Sequence, residues 1–202
     1  MELPMRKIAL AALLAATVAT PAFAQDQAPF SGPRVEGVAG WDHFKGDGGQ
    51  GASKDGVVYG GAVGYDFQAG QAVFGAEAEL TGSSADTREN DVLAAGDRLR
   101  VDTGRDIYVG GRIGYAVSPR ALLYAKAGYT NQRIDARYDA GTTSVSDHAN
   151  LDGYRLGAGI EYKITPTAYI KGEYRYSNYS KLDDYDVDLD RHQLLAGVGV
   201  RF

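Results

Sequence analysis

The sequence predicts an all-β protein, an eight-stranded antiparallel up-and-down β-barrel that crosses a membrane. Three observations carry this. Apolar and polar residues alternate with period two through eight segments, the pattern of strands with two unlike faces. The connections between those segments alternate between short and long. No stretch after residue 24 is apolar enough for a membrane helix, whereas a barrel hides its apolar content because only alternate residues meet lipid.

The segments follow in order. The first is Arg34–Phe44, with Val35, Gly37, Ala39 and Trp41 on one face and Arg34, Glu36 and Asp42 on the other. Val57–Phe67 sets Val57, Tyr59, Gly61, Val63, Tyr65 and Phe67 against Val58, Gly60, Ala62, Gly64 and Asp66. Val73–Gly82 sets Phe74, Ala76, Ala78 and Leu80 against Glu77 and Glu79. Asp106–Val117 sets Ile107, Val109, Gly111, Ile113, Tyr115 and Val117 against Tyr108 and Arg112. The fifth runs from Ala121 to about Tyr138, with Leu123, Ala125, Ala127 and Tyr129 opposite Tyr124, Lys126 and Thr130. Gly153–Ile164 places Tyr154, Leu156, Ala158, Ile160, Tyr162 and Ile164 against Arg155, Glu161 and Lys163. Ala168–Tyr179 places Ile170, Gly172, Tyr174 and Tyr176 against Tyr169, Lys171, Glu173 and Arg175. His192–Phe202 closes the set. A weak repeat supports this partition: Gly60-Gly61-Ala62-Val63-Gly64-Tyr65 recurs as Gly110-Gly111-Arg112-Ile113-Gly114-Tyr115. A repeat spaced by two strands and two connections is the period of a hairpin array.

The segments 68–72, 118–120 and 165–167 are short turns, and 45–56, 83–105, 139–152 and 180–190 are long polar loops. Short turns at one rim and long loops at the other are the membrane-barrel arrangement, with the short side periplasmic. An even strand count then puts both termini on that side. Ser83–Arg105 mixes acids with arginines and reads as a mobile surface loop.

Alternation alone leaves two barrels open, because a soluble ligand-binding barrel turns its apolar face inward and a membrane barrel turns it outward. The apolar face is free of charge across the middle of all eight segments, as lipid demands. Its aromatics sit near the strand ends. Trp41, Tyr59, Tyr129, Tyr154 and Tyr176 form an upper girdle; Tyr65, Phe67, Phe74, Tyr115, Tyr162 and Phe202 form a lower one. The other face carries Glu77, Arg112, Lys126, Arg155, Glu161, Lys171, Glu173 and Arg175 among others. Eight strands leave room only for side chains, so the expectation is a lumen plugged by ion pairs, with Glu77–Arg112 the preferred pair. A proton-relay or ion-selective role is the sharper alternative.

The start of the chain reads as a secretory signal peptide, residues 1–24. Arg6 and Lys7 are its positive region, Ile8–Val18 its apolar run, and Ala22-Phe23-Ala24 before Gln25 its small-x-small cleavage site. Met5 is an alternative start. Residues 25–33 form a lead segment and 34–202 the barrel, one domain of about 178 mature residues. The formal net charge of −5 argues against a nucleic-acid partner, and the absence of cysteine excludes disulfides and thiolate metal sites.

The last strand ends the chain on an aromatic residue. Gly197, Val200 and Phe202 fit the terminal assembly signal of bacterial outer-membrane barrels, with Leu195 standing where a polar residue is usual. With the signal peptide, the Gly-x-x-x-Gly-Tyr strands and the loop asymmetry, the mature chain resembles the small opacity-protein-type outer-membrane barrels, similar to the OmpA transmembrane domain, OmpX and Ail. The resemblance implies an outer-membrane location with extracellular loops, and insertion by the barrel-assembly machinery.

Residues for catalysis are not assembled. The lipid A deacylases of this size class use His-x-Ser, but His43, His148 and His192 are followed two residues later by Lys45, Asn150 and Leu194. A nucleophile needs a base within hydrogen-bond reach, and no spacing provides one. Asp184, Asp186, Asp188 and Asp190 in the last loop are weak candidates for divalent cations shared with anionic surface glycolipid. They lack the glycine and terminal glutamate of a calcium loop and read first as a solvated acidic loop. The expectation is a non-enzymatic outer-membrane barrel without cofactor, surrounded by outer-membrane lipid and serving envelope integrity and contacts with host or surface ligands. A narrow porin-like channel, a lipid-modifying enzyme and a soluble ligand-binding barrel are the alternatives.

Overall fold

A computed structural model describes residues 28–46, 53–84, 86–90, 98–140, 143–182 and 189–202. Among these residues the strands are β1 (Gly32–Gly46), β2 (Ser53–Ala69), β3 (Ala72–Ser83), β4 (Asp86–Asn90), β5 (Arg98–Ala116), β6 (Ala121–Ala140), β7 (Thr143–Lys163), β8 (Ala168–Leu182) and β9 (Leu189–Arg201). All neighbours are antiparallel. β1 pairs with both β2 and β9, and β3 pairs with β5, so eight staves close on themselves. β4 is not a stave: it follows β3 in the chain and pairs with the far end of β5, Asp86 opposite Asp102. The eight-stranded antiparallel barrel expected from the alternation is therefore the observed fold. A closed barrel leaves no stave with an unpaired edge, which lipid would not tolerate.

The eight segments match the staves in order, but none of the long connections is loop throughout: strand takes in 45–46 and 53–56, and 180–182 and 189–190, and the other two connections carry more. Across 139–152, β6 and β7 stay paired up to Ala140 opposite Thr143, so the connection is a hairpin extending beyond the barrel. Within 83–105, β4 and the first part of β5 form strand. The reason lies in the register. Below an irregularity between Thr103 and Asp106, the outward positions of β5 are Ile107 and Val109. Above it, Arg98, Arg100 and Asp102 stand opposite Asp139, Arg137 and Asp135, while Leu99 and Val101 stand opposite Tyr138 and Ala136. A strand that has left lipid no longer needs an apolar outer phase, so the pattern that marks the barrel stops while the pairing continues.

At the other rim the connections are tight. Ala69 pairs with Ala72, leaving Gly70 and Gln71 as a two-residue turn, and Gly70 takes φ +62°, where a side chain would be strained. Beneath this rim the chain before β1 folds under the barrel. Phe30 is fully buried with Val73, Ala116 and Leu122. Its N–H donates to Gln68 Oε1 at 2.9 Å, and Lys163 Nζ donates to the Pro29 carbonyl at 2.6 Å. Lys163, read as a lumen base, is thus engaged at the rim by the lead segment. The sequence offers no periodicity there to announce it. A second apolar cluster, Val38, Val58 and Leu195, lies on the inner phase. It accounts for an apolar residue at position 195.

Candidate functional site

The side chains of the inner phase fill the barrel. Among the described residues the buried acids are Glu36, Asp42, Asp66, Glu77, Glu79, Asp106, Glu161 and Glu173. The buried bases are Arg34, Arg112, Lys126, Arg155, Lys171, Arg175, Arg191 and Arg201, so eight charges of each sign balance. Each is within reach of an opposite charge, as buried charges must be.

Three linked groups of pairs run the length of the lumen. Nearest the short turns, Asp66 accepts from three arginines: Arg34 Nε at 3.1 Å, Arg112 Nε at 2.8 Å and Arg201 Nη2 at 2.9 Å. Glu161 faces Arg201 and Arg112 from the other wall. In the middle, Lys126 bridges Glu77 at 2.7 Å and Glu173 at 2.8 Å, and Lys171 binds Glu36 and Glu173. Towards the long hairpins, Arg175 donates to Glu79 and Glu173, and Arg155 to Asp106, Glu79 and Ser177 Oγ. Arg191 joins Asp42 at 2.7 Å to Asp106 at 2.6 Å.

The expected pair Glu77–Arg112 does not form. The β3–β5 register sets Arg112 opposite Gly75 and Glu77 opposite Gly110. Arg112 therefore reaches Asp66 and Glu161, and Glu77 is taken by Arg34 and Lys126. Height along a strand can be read by counting; which neighbour a long side chain crosses the lumen to meet cannot. The sequence reading does not name Arg191, Asp106, Gln132 or Ser177 among the lumen residues. Asp106 and Arg191 lie at or just beyond segment ends, and continuing the inner phase of β9 by one step beyond Gln193 reaches Arg191; Gln132 and Ser177 continue the inner phases of β6 and β8 beyond Thr130 and Arg175.

Glycines on the inner phase make the sockets for these side chains. A Cβ at Gly110 would lie 2.1 Å from Tyr108 Oη, one at Gly159 2.7 Å from Tyr124 Oη, and one at Gly199 2.4 Å from Tyr169 Cζ. The recurring Gly-Gly-x-x-Gly pattern is thus a packing pattern as much as a hairpin repeat. At Gly199 the three nearest atoms all belong to Tyr169. Gly199→Ala should lower unfolding free energy by about 1–3 kcal/mol through overpacking. In the background of Tyr169→Ala, which removes the ring, the same change should be nearly neutral. Equal effects in the two backgrounds, measured by denaturant unfolding in lipid vesicles, would refute the socket.

The apolar face is the outer one. Val35, Val63, Val109, Ile113, Leu156, Ile170 and Val198 are about half or more exposed around the staves. Both girdles lie on this face, with Trp41, Tyr59, Tyr129, Tyr65, Phe67, Phe74 and Tyr115 each more than half exposed. An apolar belt around a closed barrel with a charged interior is the inverse of a soluble barrel. A model of the outer membrane protein β-barrel domain matches residues 8–202. This chain belongs to that family. Relatives of this outer-membrane barrel include the 22 kDa outer membrane protein of Rhizobium leguminosarum bv. viciae, 36% identical over 153 residues. That match covers 71% of this chain and 66% of the relative. The 31 kDa outer-membrane immunogenic protein of Brucella melitensis is 29% identical over 161 residues, covering 73% and 67%. The chain thus spans about two thirds of the length of these relatives. Among solved structures, the fold is similar to Neisserial surface protein A, with TM-score 0.57 and 19% identity over 85% of this chain and 98% of that one. It is also similar to the attachment invasion locus protein Ail of Yersinia pestis, with TM-score 0.52 and 19% identity over 85% and 99%. The matched family and these curated relatives are outer-membrane proteins by name.

Apart from Gly197, which is on the inner phase, the barrel's remaining candidate residues lie on its outer face or beyond the described residues. His43 Nδ1 lies 2.8 Å from Asp55 Oδ1, and His192 Nδ1 2.7 Å from Tyr174 Oη. Both histidines therefore have neighbours in the rim. Asp190 Oδ1 accepts from Tyr176 Oη at 2.7 Å and Asn178 Nδ2 at 3.0 Å. Asp152 is bound in the same way by Tyr129 and Asn131, and these donors hold its carboxyl below the usual carboxylate range. Asp184, Asp186 and Asp188 fall outside the described residues, as do Ala22, Ala24 and Gln25. No group of three metal-ligating side chains occurs among the described residues. In the last strand, Val200 and Phe202 face outward, and the Phe202 N–H donates to the Pro33 carbonyl at 3.0 Å. Gly197 packs against Lys171.

Proposed function

We propose that this protein is a closed outer-membrane scaffold that works through its surfaces: it contributes to envelope integrity, and its long hairpins make contacts outside the cell. The observation that carries this reading is the sealed lumen, in which eight acids and eight bases pair along the whole height. A solute path would have to break several buried pairs, each break leaving a desolvated charge. In this reading residues 1–24 are the export signal and residues 25–33 the lead segment. The terminal Gly197, Val200 and Phe202 are read by the barrel-assembly machinery. The short turns and termini face the periplasm, in keeping with the usual arrangement of turns and loops. The word immunogenic in the names of several relatives supports surface exposure of the hairpins.

Two measurements test the proposal. Purified protein in planar bilayers should show no conductance steps; reproducible single-channel openings would favour the narrow channel instead. The chain has no cysteine, so a single Asn90→Cys in β4 gives a clean reporter. An impermeant maleimide should label it in intact cells, and labelling only after lysis would reverse the orientation.

A further inference from the structure

Each mouth of the charged lumen has a phenylalanine ring beside an arginine, and the two rings are held in different ways. At the end with the long hairpins, Arg191 Cζ lies 4.7 Å from the centre of the Phe44 ring. Phe44 is part of a stave: its backbone pairs with Lys54 on one side and with Arg191 on the other. At the end with the short turns, the Phe30 ring has Arg201 Cζ 5.6 Å and Lys163 Nζ 5.7 Å from its centre. Phe30 belongs to no stave, because β1 begins at Gly32.

Residues 28–31 form a turn of their own, closed by the Ser31 N–H on the Ala28 carbonyl at 3.0 Å. Among the described residues, three hydrogen bonds tie this turn to the barrel. The Phe30 N–H donates to Gln68 Oε1, and the Gln68 N–H donates to Ser31 Oγ, each at 2.9 Å. The third is the bond from Lys163 Nζ to the Pro29 carbonyl. None of the three is a rung between staves, so all can break with every stave still paired. The turn meets β1 at Gly32, whose φ of +118° suits a glycine, and a Cβ there would lie 2.0 Å from the Phe202 carbonyl oxygen. The ring's seat is apolar: Val73 on β3, Ala116 on β5 and Leu122 on β6. Next to it, Arg201 Nε is buried without a hydrogen-bond partner among the described residues. Closing the mouth therefore sets burial of one aromatic ring against dehydration of two cations. Opening gives water to Arg201 Nε and replaces the Pro29 carbonyl at Lys163 by water.

We infer that residues 28–31 are a latch that closes the short-turn mouth of the lumen at rest and opens as a local unit on the Gly32 hinge, while the eight staves stay paired. Opening admits water as far as Asp66 and Glu161. The pairs of Lys126 with Glu77 and of Lys171 with Glu36 stand beyond them and belong wholly to staves, so the device has one side and makes no path through the barrel. It goes beyond the proposed function and does not depend on which mouth faces the cell.

The chain has no cysteine, so single cysteines report on the latch. Ala116→Cys puts a thiol in the seat of the Phe30 ring. Ser177→Cys puts one in the upper lumen, where Ser177 Oγ accepts from Arg155 Nε at 2.8 Å. Folded protein in detergent micelles is treated with a small charged methanethiosulfonate, and the rate of modification is followed by mass. Ala116→Cys should react at least tenfold faster when Phe30→Ala is added, whereas Ser177→Cys should react at one rate with and without it. The Phe30→Ala chain should still migrate as a folded barrel on unboiled gels. Equal rates at Ala116→Cys with and without the ring overturn the inference, because the ring is then no seal. Acceleration at both cysteines overturns it as well, and so does a Phe30→Ala chain that no longer folds. Either result makes residues 28–31 part of the barrel's cooperative fold instead of a latch upon it.

Discussion

Asp66→Ala should destabilise the barrel by about 3–5 kcal/mol, the range for removing one partner from a buried ion pair. The carboxylate accepts from Arg34, Arg112 and Arg201 and is fully buried. Its loss leaves the interior with one excess positive charge and sends no water in to replace it. Arg34 retains Glu36 and Glu77, and Arg201 retains Glu161, but Arg112 keeps only Glu161 at 3.3 Å. The double variant Asp66→Ala/Arg112→Ala restores the balance and should therefore be less destabilised than the sum of the two single changes. Urea unfolding in phospholipid vesicles, followed by Trp41 emission, measures both. Additive effects would mean that Asp66 does not act through this pairing, and an unchanged midpoint for Asp66→Ala would mean that water already reaches the site.

Val63→Arg should cost about 2–4 kcal/mol in a bilayer, whereas Val57→Arg on the same strand should cost only about 0–1 kcal/mol. Both valines are 54% exposed and on the outward phase of β2, so exposure alone predicts no difference. Depth does. Val63 lies midway between Tyr59 and Phe67, in the middle of the apolar band, and Val57 lies beyond Tyr59 at the rim with the long hairpins. A guanidinium at Val57 reaches headgroups and water, while one at Val63 must snorkel several residues along the stave. Equal costs at the two positions, from vesicle unfolding titrations, would place the bilayer somewhere other than between the two girdles.

The strands, their order and the face that meets lipid were legible in the residues because a barrel stave obeys a local rule. Every second residue faces hydrocarbon, and one charge in the wrong phase is costly. Tyr59, Val63 and Phe67 follow that rule without reference to any neighbour. The ends of the staves were less legible. Beyond Asp106 and Gly153 the outer phase meets water, so Arg98–Asp102 and the hairpin through Thr143 lose the alternation although their backbones stay paired. The lead segment was not legible either. Phe30 is buried because it meets Val73, Ala116 and Leu122 from three other strands, and nothing in its own neighbours signals that meeting.

Composition and phase by themselves determined that this chain is a barrel with a charged interior and an apolar coat, since both follow from the identity of alternate residues along single strands. The partners inside were decided only by closure. Glu77 and Arg112 lie on adjacent strands, yet each finds a different mate, because side chains of this length choose among all the walls they can reach. Arg34 crosses from β1 to Glu77 on β3, and Arg175 from β8 to Glu79 on β3. The rim contacts of Asp152 and Asp190 were likewise set by tertiary structure, because the register between strands brings Asn131 opposite Asp152 and Asn178 opposite Asp190. Phase is a property of one strand; pairing is a property of the closed sheet, and the distances that select a partner exist only once the eight staves have met.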